Sequence, residues 1–221
     1  GALRDAVAYC HGRGVRVHVT LNTLVTDRET SALLDQLEEI AESGADAVIV
    51  QDLGVAAMAR RCCPELPLHA STQLSIHNAA GARAMKDLGF SCIVLARELT
   101  GTEIAALHRE AGEELELEAF VHGALCMSLS GQCYLSAMLG ERSGNRGRCA
   151  QPCRLDFRAP QGREYALSLK DLSLVERMAE LAGTGVTYLK IEGRMKRPVY
   201  VYAATAACRA ALDGEDCDLD T

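Results

Sequence analysis

The sequence predicts an α/β protein of the TIM-like (βα)-barrel class. Short β-branched runs alternate with amphipathic helical stretches, the connections are short, and no glycine-rich dinucleotide-binding turn follows the first strand. Strands are expected at 15–21, 47–50, 66–70, 92–96, 115–121 and 186–191. The run Ala47-Val48-Ile49-Val50 is wholly apolar, as a parallel strand covered on both faces must be. Helices are expected at 3–11, 28–43, 54–62, 77–88, 102–111, 173–182 and 198–212. In the second of these, Leu33, Leu34, Leu37, Ile40 and Ala41 fall on one face and Gly44 supplies a stop.

The alternation breaks after residue 121. Residues 122–153 are rich in Gly, Ser, Cys and Arg and have no sustained period. A β-hairpin is expected to follow, with arms at 154–159 and 164–169 turning at Pro160-Gln161-Gly162. Three regions result: barrel βα units over 1–121, a Cys-rich loop and hairpin insertion over 122–170, and a last barrel unit with a C-terminal helix over 171–221. A closed barrel needs eight strands, so the pattern reads as a barrel lacking its first strands.

The composition, 48% hydrophobic and 24% charged, is that of a water-soluble domain. No stretch approaches 18 consecutive apolar residues, and Gly1-Ala2-Leu3-Arg4-Asp5 is not a secretory leader, so a cytoplasmic protein without a membrane span is expected. With 4% aromatic residues and no Trp, few stacking platforms exist for single-stranded nucleic acid. The net charge of −7 is unevenly spread: residues 1–140 hold 10 Lys+Arg against 18 Asp+Glu, whereas residues 141–200 hold 12 against 7. The second region could meet an anionic ligand or present a mixed-charge surface.

Ten cysteines are many for such a chain. Six (Cys10, Cys62, Cys63, Cys92, Cys208, Cys217) are scattered and expected to be ordinary reduced thiols. The other four follow Cys126-x6-Cys133-x15-Cys149-x3-Cys153. Four soft thiolates in one loop suit an iron–sulfur cluster or zinc, although the spacing is not the paired C-x2-C of a zinc ribbon. Two disulfides, or one thiol acting as a nucleophile with His122 as base, are the other readings. Polar residues also stand where each strand ends: Asn22 and Thr23, Gln51 and Asp52, His69 with Ser71, Thr72 and Gln73, Arg97 and Glu98, His122, and Glu192 with Arg194. In a barrel such ends share the face on which active sites are built.

At this point the chain resembles the collagenase-like peptidase family U32. The resemblance is carried by Glu118-Ala-Phe-Val-His-Gly-Ala-Leu-Cys126, by Gly131-Gln-Cys-Tyr-Leu-Ser136, and by Gly140-Glu-Arg-Ser-Gly-Asn-Arg-Gly147. It continues through Cys149-Ala-Gln-Pro-Cys-Arg154 and Leu189-Lys-Ile-Glu-Gly-Arg194, and upstream through His69-Ala-Ser-Thr-Gln73 and Val94-Leu-Ala-Arg-Glu98. It implies a barrel fold and oxygen-independent hydroxylation of tRNA uridine, ribosomal RNA cytidine or a quinone ring, with prephenate required for the RNA reactions. It further implies a four-iron, four-sulfur (4Fe-4S) cluster on Cys126, Cys133, Cys149 and Cys153. Gly144 departs from the Ala common at that place, and the absent first strands leave room for a partner chain or a second copy of this one.

Within that expectation His69, His122, Glu118 and Glu192 are the candidate catalytic residues. Arg97, Lys190, Arg194 and Gln73 are candidates for holding a small dicarboxylate, since Arg pairs with carboxylates in bidentate fashion. Arg142 and Arg146 are candidates for RNA phosphate. Hydrolase machinery is sparse: there is no His-Glu-x-x-His helix and no Gly-x-Ser-x-Gly elbow, only Ser128, Ser130 and Ser136 near His122.

Overall fold

The computed structural model describes residues 1–194 and 196–215. The elements run α1 (Ala2–His11), β1 (His18–Leu21), α2 (Thr30–Ser43), β2 (Ala47–Val50), α3 (Leu53–Cys62), β3 (Leu68–Ala70), α4 (Ala79–Asp87), β4 (Phe90–Val94), α5 (Gly101–Ala111) and β5 (Glu116–Gly123). After β5 come the short helix α6 (Leu135–Gly140), a two-residue strand β6 (Leu172–Ser173), α7 (Met178–Ala182), β7 (Tyr188–Ile191) and α8 (Pro198–Asp213). All six expected parallel strands form.

Local chemistry fixes several boundaries. Asp52 caps α3 by accepting hydrogen bonds from the Gly54 and Val55 amides, at 2.8 and 3.3 Å, and also from Val25 N–H at 3.0 Å. Asn78 caps α4 through Gly81 N–H at 2.8 Å, and Thr100 with Glu103 forms a capping box at the start of α5. On α2, Leu33, Leu37 and Ile40 are buried as the 3.6-residue period requires, but Leu34 lies on the solvent side, 38% exposed.

The sheet order is β1-β2-β3-β4-β5-β7, all parallel, with β6 pairing antiparallel to the end of β5. Registered neighbours point to the same side, so the pairings Thr20↔Ile49, Ile49↔His69, His69↔Cys92 and Cys92↔Glu116 trace one row across one face. The pairings Leu21↔Val50, Val50↔Ala70, Ala70↔Ile93 and Ile93↔Leu117 trace the opposite face. That second face packs under the helices: Val48, Val50, Leu68, Ile93, Leu95 and Leu117 are each at most 1% exposed within one continuous apolar core.

The first face is concave. His18 on β1 meets Tyr188 on β7 with ring centroids 5.6 Å apart, although the two strands stand at opposite ends of the sheet order. The sheet is thus a curled half-barrel. As expected of a barrel lacking its first strands, the sheet does not close among the described residues, where β1 and β7 carry no pairing to one another.

The expected hairpin is also corrected. Residues 154–169 hold no strand; two backbone bonds, Ala159 N–H to Arg163 O at 3.0 Å and Ala166 N–H to Phe157 O at 2.8 Å, close a turn-rich excursion. Two arms without a third strand or an apolar face are marginal in water. Tyr165 takes φ +50°, which breaks extension, and the Asp156 carboxylate accepts the Tyr165 amide bond at 3.2 Å in place of a ladder carbonyl. Cys217 lies outside the described residues.

Candidate functional site

The Cys-rich insertion sits across the C-terminal ends of the strands, and many polar strand ends hold it there. Glu98, past β4, accepts Ser130 N–H and Ser130 Oγ–H, each at 2.8 Å. Burial alone would raise the Glu98 carboxyl; the two bonds from Ser130, its own amide and Arg97 together hold it below its ordinary value. Gln132 Nε2 donates to Gln73 O at 2.9 Å and to Ser75 Oγ at 3.0 Å, past β3. On the other side, Gln51 Nε2 donates to Asn22 O at 2.7 Å and Asn145 O at 3.3 Å, tying the insertion to the ends of β1 and β2. Arg146 completes this seam, pairing with both oxygens of Glu29 and with Leu24 O. At the exit of β5, Gly123 takes φ +113°, and a Cβ there would stand 2.5 Å from Glu192 O. Only glycine lets the chain leave β5 that close to β7.

None of the nine described cysteines is in a disulfide, which sets that reading of the quartet aside. The four insertion cysteines are drawn together. Burial raises the Cys153 thiol, Arg154 lowers it, and the charges of Cys126 and Cys149 push it up again, so these three sulfurs feel one another. Gly144 stands between the fourth, Cys133, and Cys149: its Cβ position is 3.5 Å from Cys133 O and 3.7 Å from Cys149 Cβ. Leu135 N–H points at Cys133 Sγ and Gln151 N–H at Cys149 Sγ, each at 3.3 Å. Amide donors of this kind stabilise thiolate charge. Arg154 braces the group, donating to Leu125 O at 2.9 Å and Ser168 Oγ at 3.1 Å, and also to Leu169 O.

Beneath the insertion, the concave face carries a polar cluster. His69 is 3% and Glu118 5% exposed; Lys190 pairs with Glu118, and the Tyr188 hydroxyl donates to Glu116 at 3.1 Å. The His18 and His69 rings meet edge-on at 4.6 Å. Burial, assisted by His18, Lys190 and Arg16, lowers His69 to about 4, so its imidazole is neutral near pH 7. Burial likewise lowers His18 and raises Cys92 and Tyr188.

The structure thus brings His69, Glu118 and Lys190 together, and Lys190 shares the Phe120 ring with Arg97, at 5.6 and 4.9 Å from its centroid. His122 stacks on Tyr200 of α8 at 5.7 Å, and Glu192 accepts Arg194 N–H at 3.1 Å. Arg142 donates to Arg148 O at 3.1 Å. Arg97 lies 4.9 Å above the Phe120 ring and lines a cavity of about 400 Å³ between α5 and α7, walled by Leu95, Leu99, Leu172 and Leu181. Much of the basic excess of residues 141–200 is spent internally, as in Arg158–Glu164, Arg177–Glu180 and Lys196–Asp171. His18, Cys92, Glu116 and Tyr188 escaped the sequence reading, which looked at strand ends. Their signal was the two-residue alternation His18/Thr20, Glu116/Glu118 and Tyr188/Lys190 along otherwise apolar strands.

A curled parallel sheet with a four-cysteine insertion over its strand ends is a specialised form of the (βα) architecture. The chain belongs to peptidase family U32, whose description it matches over residues 1–217. It is 39% identical over 218 residues to the 23S rRNA 5-hydroxycytidine synthase of Escherichia coli, covering 96% of this chain and 33% of that protein. It is 32% identical over 229 residues to tRNA hydroxylation protein P1 of Bacillus subtilis, covering 98% and 54%. The chain therefore spans between a third and just over half of the length of these relatives. Among solved structures, that of the U32 peptidase Mk0906 superposes with a TM-score of 0.51 over 76% of this chain and 69% of that one, at 16% identity, a likeness of fold. Among the described residues no helix is long and apolar enough to cross a membrane.

Proposed function

We propose that this chain is the barrel part of an oxygen-independent RNA hydroxylase acting on a pyrimidine base, a ribosomal cytidine or a tRNA uridine. The observation that carries the reading is the cysteine insertion seated over the strand ends, in a chain whose relatives are named for rRNA and tRNA hydroxylation. Cys126, Cys133, Cys149 and Cys153 would hold a 4Fe-4S cluster. The donor set fits: four thiols, two of them already receiving amide N–H bonds, with Arg154 nearby to offset thiolate charge. Such a cluster supplies one-electron transfer, which base hydroxylation uses and peptide hydrolysis does not.

Arg97, in a cavity lined by leucines together with Arg177 and Glu180, is the group we assign to the carboxylate of a small organic co-substrate of the prephenate kind. Within residues 141–200, Arg148, Arg163, Lys170, Arg194 and Arg197 make no side-chain bond or ion pair among the described residues and are the cations of that region left for RNA phosphate. A peptidase has less to support it. Ser128 Oγ donates to Gln132 O, Ser130 Oγ to Glu98, and Ser136 Oγ accepts Ala150 N–H, so each hydroxyl is engaged away from His122.

The test is nucleoside mass spectrometry of RNA from a strain deleted for the gene, complemented with the full-length protein or its Cys149→Ser variant. A hydroxylated pyrimidine should disappear on deletion, return with the parent protein and stay absent with the variant, whose iron content should fall. An unchanged nucleoside profile on deletion would sink the proposal.

A further inference from the structure

The polar cluster on the concave face lies on the strands themselves, apart from the cysteine insertion, and the hydroxylase reading makes no use of most of it. We propose that His18, His69 and Glu118 form a binding site for one divalent transition-metal ion of the zinc, iron(II) or cobalt(II) kind. Each of the three can offer a donor atom within 4.8 Å of the other two. They come from β1, β3 and β5, so the site is assembled by the curl of the sheet and not by a local loop. Two imidazoles and one carboxylate are the donor set that borderline metals of this class take, with positions left open for water or substrate.

A second, independent observation points to a ligand. His69 is 3% exposed, yet its buried Nδ1 has no hydrogen-bond partner. An unsatisfied buried ring nitrogen costs stability unless something absent from the protein's own bonding fills it. The neighbours are arranged as an outer layer. Lys190 holds Glu118 through Oε1, and among the described residues no hydrogen bond is made to Oε2, so one oxygen remains for a metal while the other is braced. Glu116, held by the Tyr188 hydroxyl, and Cys92 stand beside His69 in a second group of three within the same 4.8 Å. The site therefore has alternative donors on one side and a positive charge on the other.

The inference stands apart from the hydroxylase proposal, and its test does not depend on a cluster or on RNA. The full chain is titrated with cobalt(II) under anaerobic conditions while bound ion and absorption are followed together. Thiolates of the insertion give intense sulfur-to-metal bands in the near ultraviolet, whereas a nitrogen and oxygen site gives only weak visible bands. His69→Gln and His18→Gln should each lose the weak-band equivalent, with binding at least about 100-fold weaker, and leave the sulfur bands unchanged. Wild-type stoichiometry and weak bands in both variants would overturn the proposal. Should His69→Gln fail to fold, His18→Gln in a background with the four insertion cysteines changed to Ser decides the matter. Zinc should raise the Tm of that background and not of the His18→Gln form; no rise in the background would refute the site.

Discussion

Residues 18–121 and residues 124–171 are held together by different forces. In the first region the strands and helices bury a continuous apolar core, with Leu37, Leu68, Ile93 and Leu117 at 0% to 1% exposure. In the second the only buried residues are Ser130, Ser136 and Pro152, while Leu129 is 62% and Met138 81% exposed. What order the insertion has comes from polar ties to the strand ends, from the Arg154 brace and from its left-handed turns at Ser130, Glu141 and Gln151. A polar tie contributes about 1 kcal/mol net, whereas a buried leucine contributes about 2 to 3. The sheet is a scaffold that stands on its own packing, and the insertion is a segment that a bound group would complete.

The sharpest way to break the contrast is to weaken the scaffold. Leu117→Ala, on the helix-facing side of β5, should cost about 2–5 kcal/mol in urea unfolding and take the insertion down with it. Gly123→Ala strikes the junction. The positive φ and the close Glu192 carbonyl should cost roughly 1–3 kcal/mol, and hydrogen exchange in residues 124–153 should rise before exchange in the strands does.

The third prediction concerns acid. With metals chelated, His69 is neutral in the folded chain down to about pH 4 but takes up a proton near 6.5 when unfolded. The unfolded state binds more protons in that window, so stability should rise with pH from about 4 to 6.5, by on the order of 2 kcal/mol, and His69→Gln should flatten the slope. A wild-type slope in the variant would show that other groups set it.

The smallest effect belongs to the insertion seam. Arg146, then the Thr26 amide and hydroxyl, hold the Glu29 carboxyl down at about 2. The tie is whole above the unfolded value near 4.5 and is lost as the pH falls from there toward 2. Limited proteolysis should therefore cut residues 141–150 faster across that window. Glu29→Gln should be cut at the faster rate at neutral pH, without a change in global unfolding.

The parallel strands were legible because each is a dense β-branched or apolar run; the caps Asp52, Asn78 and Thr100 were not, since Asp52 reads as a strand end and Asn78 falls inside an expected helix. The hairpin fails because the turn signal at Pro160-Gln161-Gly162 does not make strands of its flanks where no third strand supports them. The polar strand ends were read as a site, and several of them are anchors: Glu98, Gln51 and Asp52 hold chain, not ligand. Apart from the local cap that Asp52 makes, that use could not be read from the sequence, because the partners lie 27 to 94 residues away. The inner cluster was hidden for the same reason; only the curl brings His18 to Tyr188.

The opposite chemistry of the two sheet faces limits how such a gene can change length. Deleting one residue within β5 would swap Glu116 and Glu118 with Leu117 and Ala119. Two carboxylates would then enter the helix-facing layer while leucine replaced them inside. Losses and gains of chain are therefore best tolerated in the stretches between strands, of which residues 124–171, after β5, are the longest.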